Sequence, residues 1–471
     1  MRLTLPIAFV ASLLSTVARP ATSGPLPSAR ADTLAQQVTA VADDMLRVLN
    51  TADGRAGRFA SNATPTQRAA WDANVDAWDT RLQAIDGTAL VGRPEWVTWG
   101  VLREAMEANR GLRVCRVGPE EREACYRAQV RAWTTLPLTA EEVTSNAAAI
   151  RRSLDAELAP VVQRVLGTSD VDEARRRFRS EARFMAGSRE DLTRLTNAAL
   201  TAGRARMQEW FLDVAPDTLV IVPEPADREA TAGAPARYQR AAGGNPAALV
   251  LNLYRPEQRP AMGAWVAAVH EGYPGHHHQI SIGARARHPV LGFFLMAGFT
   301  EGWGLYSERL ADEMGLYPSD LERAWYLAHL SDAAIGMLID PAINTGRWSR
   351  EQAIDTMVTV SGRPRWEAEN YAARHLATSG QIVTYAVGYQ EIMRLRADAK
   401  QRLGARFDIR EFHRAVLEDG EVTLPMLREK VERWVGRTMG GESAAYGVRG
   451  IESSSVPSSS WYTRVTNQST R

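Results

Sequence analysis

The residues best suited to chemistry are a histidine and a glutamate at the end of an apolar stretch with helical character. The run Trp265-Val-Ala-Ala-Val leads directly into His270 and Glu271. A His-Glu pair opens the zinc motif His-Glu-x-x-His. In that motif two histidines one helical turn apart bind the metal, and the glutamate beside the first is the general base. Here Pro274 stands where the second histidine of that motif would be, and three histidines follow at 276–278. The pattern indicates a zinc site on an interrupted helix.

The second ligand is left open between His276 and His277. In a regular helix of about 100° per residue, His277 returns to the face of His270, whereas His276 does not. Pro274 removes a helical hydrogen bond and Gly275 permits a turn. We therefore expect the helix to distort, which can bring His276 back onto the metal.

A third ligand is predicted in the segment Gly298-Phe-Thr-Glu301-Gly-Trp-Gly-Leu-Tyr-Ser-Glu308. A glutamate on a second helix, some two dozen residues beyond the second histidine, is the arrangement of the gluzincin class of metallopeptidases. Two histidines and Glu301 leave a fourth tetrahedral position for water, which a catalytic zinc ion requires. Glu308 lies on the same helix face and is the candidate acceptor for a ligand histidine's other N–H. The sequence thus predicts one Zn²⁺ ion.

Hydrolysis at such a site assigns roles to further residues. Glu271 would take a proton from water, and because helical neighbours about 100° apart cannot face the metal in the same way, we expect it to be a base and not a ligand. Tyr385 is the predicted donor to the oxyanion, with Tyr389 as the alternative. Arg396 either binds a substrate carboxylate or forms a structural ion pair. His329, on an amphipathic helix, is interpreted as structural.

The elements that must position these residues are mainly helical. Apolar residues recur at one-face spacing from Ala31 to about Met207, and the Gly- and Pro-rich stretch 223–244 is the candidate loop on the substrate side. Residues 247–254 form the clearest strand, either an edge along which a peptide is laid or an ordinary buried strand. Helices are predicted after Gly263 over Gly298–Leu310, Leu321–Leu338, Arg350–Val360, Arg365–Ala377, Val383–Leu403 and Ile409–Leu417.

Composition narrows the partners. In 471 residues, 56 lysines and arginines balance 55 aspartates and glutamates, so nothing favours nucleic acid or an anionic membrane. A small neutral or mixed-charge substrate fits this balance better. The sequence does not settle the oligomeric state.

The N-terminus has the three regions of a secretory signal peptide, which we place at residues 1–22. The predicted protein is periplasmic or secreted, with no membrane anchor once the signal is removed. Cys115 and Cys125, the two cysteines, would meet an oxidising compartment and are expected to form a disulfide. Residues 441–471, rich in serine, are interpreted as a disordered tail.

At the residues above, the chain resembles the bacterial domain-of-unknown-function family 885. The family's pattern of His-Glu-x-x-Pro-Gly-His and then Glu-Gly-Trp-x-Leu-Tyr-x-Glu is matched by residues 270–276 and 301–308, and the similarity continues through 380–388. The resemblance implies an exported, gluzincin-like helical metallopeptidase fold, with a small β-sheet beside the zinc helix and a deep cleft. It also implies His276 as the second ligand, because the family places its histidine directly after Pro-Gly.

The resemblance further implies one helical domain over residues 23–440, with an N-terminal part to about 222 and a metal-site part over 245–440. Asn344 stands where the family tends to carry a polar histidine of the cleft, and His375 where it tends to carry a tyrosine. Both are candidate substrate-binding residues. The predicted activity is zinc-dependent hydrolysis of peptide or small amide bonds. The alternatives are a hydrolase of amide or ester conjugates and a metal-binding protein without turnover.

Overall fold

The computed structural model describes residues 29–59, 63–215, 219–232, 234–283 and 288–440. The predicted signal peptide and C-terminal tail lie outside the described residues. Eight α-helices come first in the described chain: α1 Ala29–Leu49, α2 Ala52–Phe59, α3 Pro65–Gln83, α4 Pro94–Gly111, α5 Arg122–Thr134, α6 Ala140–Leu166, α7 Val171–Ser180 and α8 Arg189–Trp210. Three strands follow: β1 Leu219–Pro223, β2 Ala236–Gln239 and β3 Ala247–Leu251.

Nine further helices complete the described part: α9 Gly263–Glu271, α10 His276–Gly283, α11 Ala297–Glu313, α12 Asp320–Asn344, α13 Arg350–Ser361, α14 Arg365–Ala377, α15 Val383–Leu403, α16 Ile409–Leu417 and α17 Leu424–Thr438. The mainly helical prediction is confirmed. Three of the predicted helices, α14, α15 and α16, have the predicted bounds.

Local sequence signals explain where the long helices begin and which face they bury. α6 starts at a capping box in which Thr139 and Glu142 satisfy each other's backbone N–H groups. Its buried residues recur every three to four positions, from Val143 through Ala147 and Ile150. Such a stripe covers one side of a helix, and this side packs against α12.

The sheet has the order β1-β3-β2, with β1 parallel and β2 antiparallel to β3. All five residues of β3 are buried. Because β3 is paired on both sides, it offers no edge to a ligand, so the buried-strand interpretation is the right one of the two predicted for it. The two edge strands are β1 and β2, and β2 lies in the Gly- and Pro-rich stretch 223–244, which was predicted to be a loop.

The helices α11 and α15 cross with their backbones in contact. A Cβ added at Gly302 would lie 2.5 Å from the Gly388 Cα, and one added at Gly388 would lie 1.8 Å from the Gly298 carbonyl oxygen. No side chain fits in that space, so these positions need glycine. The crossing brings Tyr385, one turn before Gly388, against the part of α11 that carries Glu301.

Buried apolar side chains from both halves of the chain, from Val38 on α1 to Val431 on α17, belong to one hydrophobic core. Cys115 and Cys125 form a disulfide that ties α5 to the turn before it. Among the described helices, none has the length and apolar character needed to cross a membrane.

Candidate metal centre

The helix that carries the first histidine breaks where the sequence predicts. α9 ends at Glu271, residues 272–275 leave the helical path, and α10 starts at His276. The Tyr273–Pro274 peptide bond within this break is cis. The angular relation of one continuous helix therefore does not apply, and His276 turns back toward His270: their rings lie 4.8 Å apart between centroids.

The side chains of three potential metal ligands meet at this break in the helix. The ligating atoms of His270, His276 and Glu301 all lie within 4.8 Å of one another. The Glu301 Oε2 atom is 3.6 Å from His270 Nε2 and 3.5 Å from His276 Nε2. These separations exceed a good hydrogen bond, and they match the spacing of about 3.4 Å between tetrahedral ligands about 2.1 Å from zinc.

The other nitrogen of each imidazole has a protein partner. His270 Nδ1 is 2.8 Å from Glu308 Oε1, and His276 Nδ1 is 3.2 Å from Gln279 Oε1. With Nδ1–H donating to these oxygens, the neutral form of each imidazole would present its Nε2 lone pair to a metal ion between the histidines and Glu301. This is the hydrogen-bonding pattern that orients metal-binding histidines. The residues present therefore fit a metal ion.

Three residues of the motif Glu301-Gly-Trp303-Gly304 each contribute to the geometry of the candidate metal centre. Trp303 Nε1 donates to the Pro274 carbonyl oxygen at 3.0 Å, which fastens the helix break to α11. A Cβ at Gly304 would lie 2.4 Å from the His270 ring, so only glycine leaves room for that imidazole. The spacing of the motif thus follows from the packing of α11 against α9.

Electrostatics also favour a cation here. Burial alone would lower the pKa of His270, but the neighbouring carboxylates of Glu301 and Glu308 outweigh it and raise that pKa well above its usual value. Burial alone would raise the pKa of Glu301, but the two imidazoles lower it. In the metal-free protein the protonated imidazoles thus balance the charge of ionised Glu301, and a metal ion bound at the two Nε2 atoms would take the place of their protons.

The centre opens into a pocket of about 460 Å³. At its metal end lie Glu271, His276, Glu301 and Tyr385. The rest of the lining comes from β2 and its flanks and from several helices: Ala234, Ala236, Arg237, Tyr238, Arg240, Ile280, Leu295, Thr300 and Arg374. Glu271 thus lies beside the three potential metal ligands without being one of them.

Tyr385 lies over the metal end of the pocket. Its ring stacks on His270 with 6.1 Å between centroids, and Arg374 Nη2 donates to its hydroxyl oxygen at 3.1 Å. Burial and then the charge of Glu301 raise the pKa of Tyr385, so the hydroxyl keeps its proton. Since Arg374 already occupies a lone pair of that oxygen, the O–H is available as a donor.

Other predicted residues lie elsewhere. His277 is fully buried with Nδ1 3.4 Å from the Tyr238 hydroxyl, and His276, not His277, is one of the three potential metal ligands. Tyr389, the alternative oxyanion donor, accepts a hydrogen bond from Arg309. The sequence analysis missed one contact of the centre: His329 Nε2 lies 3.4 Å from Glu308 Oε1, so its helix supports the same carboxylate.

Three residues predicted as candidates for substrate binding are not among those that line the pocket beside the candidate metal centre. Arg396 pairs with Glu313 at 2.5 Å, which is the structural ion pair given as its alternative. Asn344 and His375 both hydrogen-bond the buried carboxylate of Asp340. Arg374, next to His375, reaches the pocket instead; the sequence offered no signal to choose between the two neighbours.

The fold and the site together describe a mainly helical protein with a buried His-His-Glu cluster as its candidate metal centre and a further glutamate in the adjoining pocket. The chain belongs to the family of bacterial proteins of unknown function DUF885, whose model matches residues 29–431. The resemblance found in the sequence is thereby confirmed. No curated protein matches the chain.

Solved structures share the fold. The putative lipoprotein of Colwellia psychrerythraea aligns with a TM-score of 0.63 and 22% identity, covering 86% of this chain and 72% of that one. The putative lipoprotein of unknown function from Shewanella oneidensis aligns with a TM-score of 0.57 and 17% identity, covering 85% of this chain and 72% of that one. The Pyrococcus furiosus carboxypeptidase reaches only 0.40 at 10% identity over 93% and 98%, which does not establish a common fold.

Proposed function

We propose that this protein is an exported, gluzincin-type zinc hydrolase that cleaves peptide or small amide bonds. The observation that carries the proposal is the convergence of His270 Nε2, His276 Nε2 and Glu301 Oε2 beside Glu271 in an open pocket. Two histidines and one carboxylate form a known catalytic zinc set that leaves a position for water or substrate. The signal-peptide pattern and the Cys115–Cys125 disulfide support export.

Each residue of the pocket then has a role. A zinc ion held by these three residues would act as a Lewis acid that polarises the scissile carbonyl and activates water. Glu271 accepts the proton of the attacking water and passes it to the leaving amine. Tyr385 donates its O–H to the oxygen on which negative charge develops, while Arg374 holds the tyrosine in place.

A peptide library incubated with zinc-loaded protein, and with protein stripped by a chelator, tests the proposal. We expect cleavage by the loaded form alone, restored when zinc is returned. Glu271→Gln should keep its zinc and lower turnover by about 10²–10⁴-fold, the range for a lost general base. Glu209→Gln, an exposed residue of α8, is the matched control and should change neither quantity. A Glu271→Gln protein that loses zinc, or that cleaves at the wild-type rate, would refute the role of Glu271.

A further inference from the structure

The pocket has an uneven distribution of charge. Among the described residues that line it, the carboxylates are Glu271 and Glu301, both at the metal end. The rest of the lining carries three arginines, Arg237, Arg240 and Arg374. Whether these arginines act on a ligand depends on whether the protein already neutralises them.

Two of the three arginines are neutralised by buried carboxylates. Arg237 donates to Glu224, with 3.0 Å between Nε and Oε2, and Glu224 is 7% exposed. Arg240 donates to Glu421 at 2.6 Å, and Glu421 is 5% exposed. Each of these two guanidinium groups is thus held by a carboxylate of the protein, and Arg237 shares its partner, Glu224, with Arg228.

Arg374 differs from both. Within the described part of the chain it forms no ion pair, and its hydrogen bonds go from Nη2 to the neutral acceptors Gln381 Oε1, at 2.7 Å, and Tyr385 Oη, at 3.1 Å. A guanidinium has five N–H donors, so those of Nη1 and Nε are left for a ligand. The carboxylate of Glu301 acts on Arg374 without forming an ion pair with it, so an anionic ligand at Nη1 and Nε would still stabilise this partly buried cation.

We propose that the substrate carries a carboxylate close to the scissile bond and that Arg374 binds it. The location follows from two contacts: Arg374 touches Tyr385, and Tyr385 stacks on His270. The carboxylate is either the free α-carboxylate of a C-terminal residue or the side chain of an acidic residue. This inference rests on the proposed hydrolase function and narrows its substrate class.

Binding of three matched peptides tests the inference. The N-acetylated peptides differ only in their last residue: glutamine with a free α-carboxylate, glutamate as the C-terminal amide, and glutamine as the C-terminal amide. Calorimetry on zinc-loaded Glu271→Gln protein measures affinity without turnover. We expect one of the acidic peptides to bind about 10- to 100-fold more tightly than the neutral peptide, the range for a charge-assisted hydrogen bond. The peptide that gains shows which carboxylate is recognised.

Variants made in the same background assign the effect to one residue. Arg374→Gln should reduce the preference to about onefold, and Arg374→Lys, which keeps the charge, should retain part of it. Arg396→Gln is the matched control, since that arginine pairs with Glu313 outside the pocket, and it should keep the full preference. Melting temperatures of all variants establish that each is folded.

Equal affinity for the three peptides overturns the inference. A preference that survives Arg374→Gln also overturns it, because the carboxylate would then be held elsewhere, for example by the metal. The proposed function is judged separately, by cleavage with the zinc-loaded wild-type protein. Cleavage without a carboxylate preference removes only this inference. If the preference depends on Arg374 but no peptide is cleaved, the proposed hydrolase function is refuted and the proposed carboxylate-binding role of Arg374 stands.

Discussion

Two buried clusters in this protein each bring a histidine against a carboxylate, and they differ in what their atoms have left to bind. Around Asp340, which is fully buried, every carboxylate oxygen accepts two hydrogen bonds from the protein. His375 Nδ1 and Asn344 Nδ2 donate to Oδ1, and Tyr126 Oη and Gly380 N donate to Oδ2. This cluster is closed, because no lone pair is left for a ligand.

At the metal centre the same residue types form an open cluster. His270 and His276 each use Nδ1 on a protein acceptor, and both Nε2 atoms face Glu301 Oε2 across 3.5–3.6 Å. The comparison shows that residue types alone do not mark a site. What distinguishes the candidate site is that some of its nitrogen and oxygen atoms have no close hydrogen-bond partner in the protein and can bind a ligand.

The largest effect is expected from a substitution that disrupts the closed cluster around Asp340. Asp340→Ala removes the acceptor of four buried donors and should lower the free energy of unfolding by about 3–5 kcal/mol, the range for removing one partner of a buried polar pair. Urea unfolding of metal-free protein measures it. Zinc affinity should change little, since the contacts of Asp340 include none of the three potential metal ligands. A variant with wild-type stability, or one that loses zinc while folded, would contradict the division into two clusters.

A smaller effect is expected from the acceptor that orients His270. Glu308→Leu, which removes the acceptor, should lower zinc affinity by about 10–100-fold, as found when the outer partner of a metal-binding histidine is lost. His329→Gln is the matched control: it removes the other contact of Glu308 and leaves His270 its acceptor, so zinc affinity should fall less. Competition with a zinc-binding dye measures both. An equal loss in the two variants would show that His270 is not oriented in this way.

The smallest effect concerns His413, whose two ring nitrogens both have protein partners. His413 Nδ1 donates to the Trp210 carbonyl oxygen, and its Nε2 accepts from the Tyr306 hydroxyl at 2.8 Å. Burial lowers the pKa of His413 to about 3. As pH falls from about 6.5 toward 3, the unfolded chain binds a proton there and the folded protein does not, so stability is lost by up to about 1.4 kcal/mol per pH unit.

Urea unfolding of metal-free wild-type and His413→Gln protein at pH 7 and pH 5 isolates this contribution. The stability advantage of the wild type should shrink at pH 5. An advantage that is constant or grows on acidification would mean that His413 is protonated in the folded protein.

The sequence predicts the helices better than the strands. The bounds of α14, α15 and α16 are predicted correctly because one-face periodicity is a local signal, and α16 also begins at the Asp408 cap. β1 and β2 have five and four residues, and β2 lies within the Gly- and Pro-rich stretch 223–244, so only pairing with β3 defines them. α17, which starts from a Thr423 cap, was not among the predicted helices.

For the candidate site, residues that belong to sequence motifs can be identified from the sequence and residues outside such motifs cannot. His270, Glu271 and Glu301 follow the spacing of a zinc motif, and Tyr385 lies in the segment 380–388 that resembles the family. The choice of His276 needs the resemblance, since the break after Glu271 removes the helical angle that would decide it. Arg237, Tyr238 and Arg374 come from segments that only the tertiary fold brings to the pocket, so no local pattern identifies them.

The proposed zinc ligands are tested most directly by calorimetric zinc titration of metal-free wild-type, His276→Asn and His277→Asn protein, each first checked for folding by circular dichroism. We expect one tight zinc site per chain in the wild type, its loss in His276→Asn, and its retention in His277→Asn, because His277 contacts Tyr238 instead of facing Glu301. Loss of zinc in His277→Asn with retention in His276→Asn, or no tight zinc binding by the wild type, would contradict this assignment of the ligands.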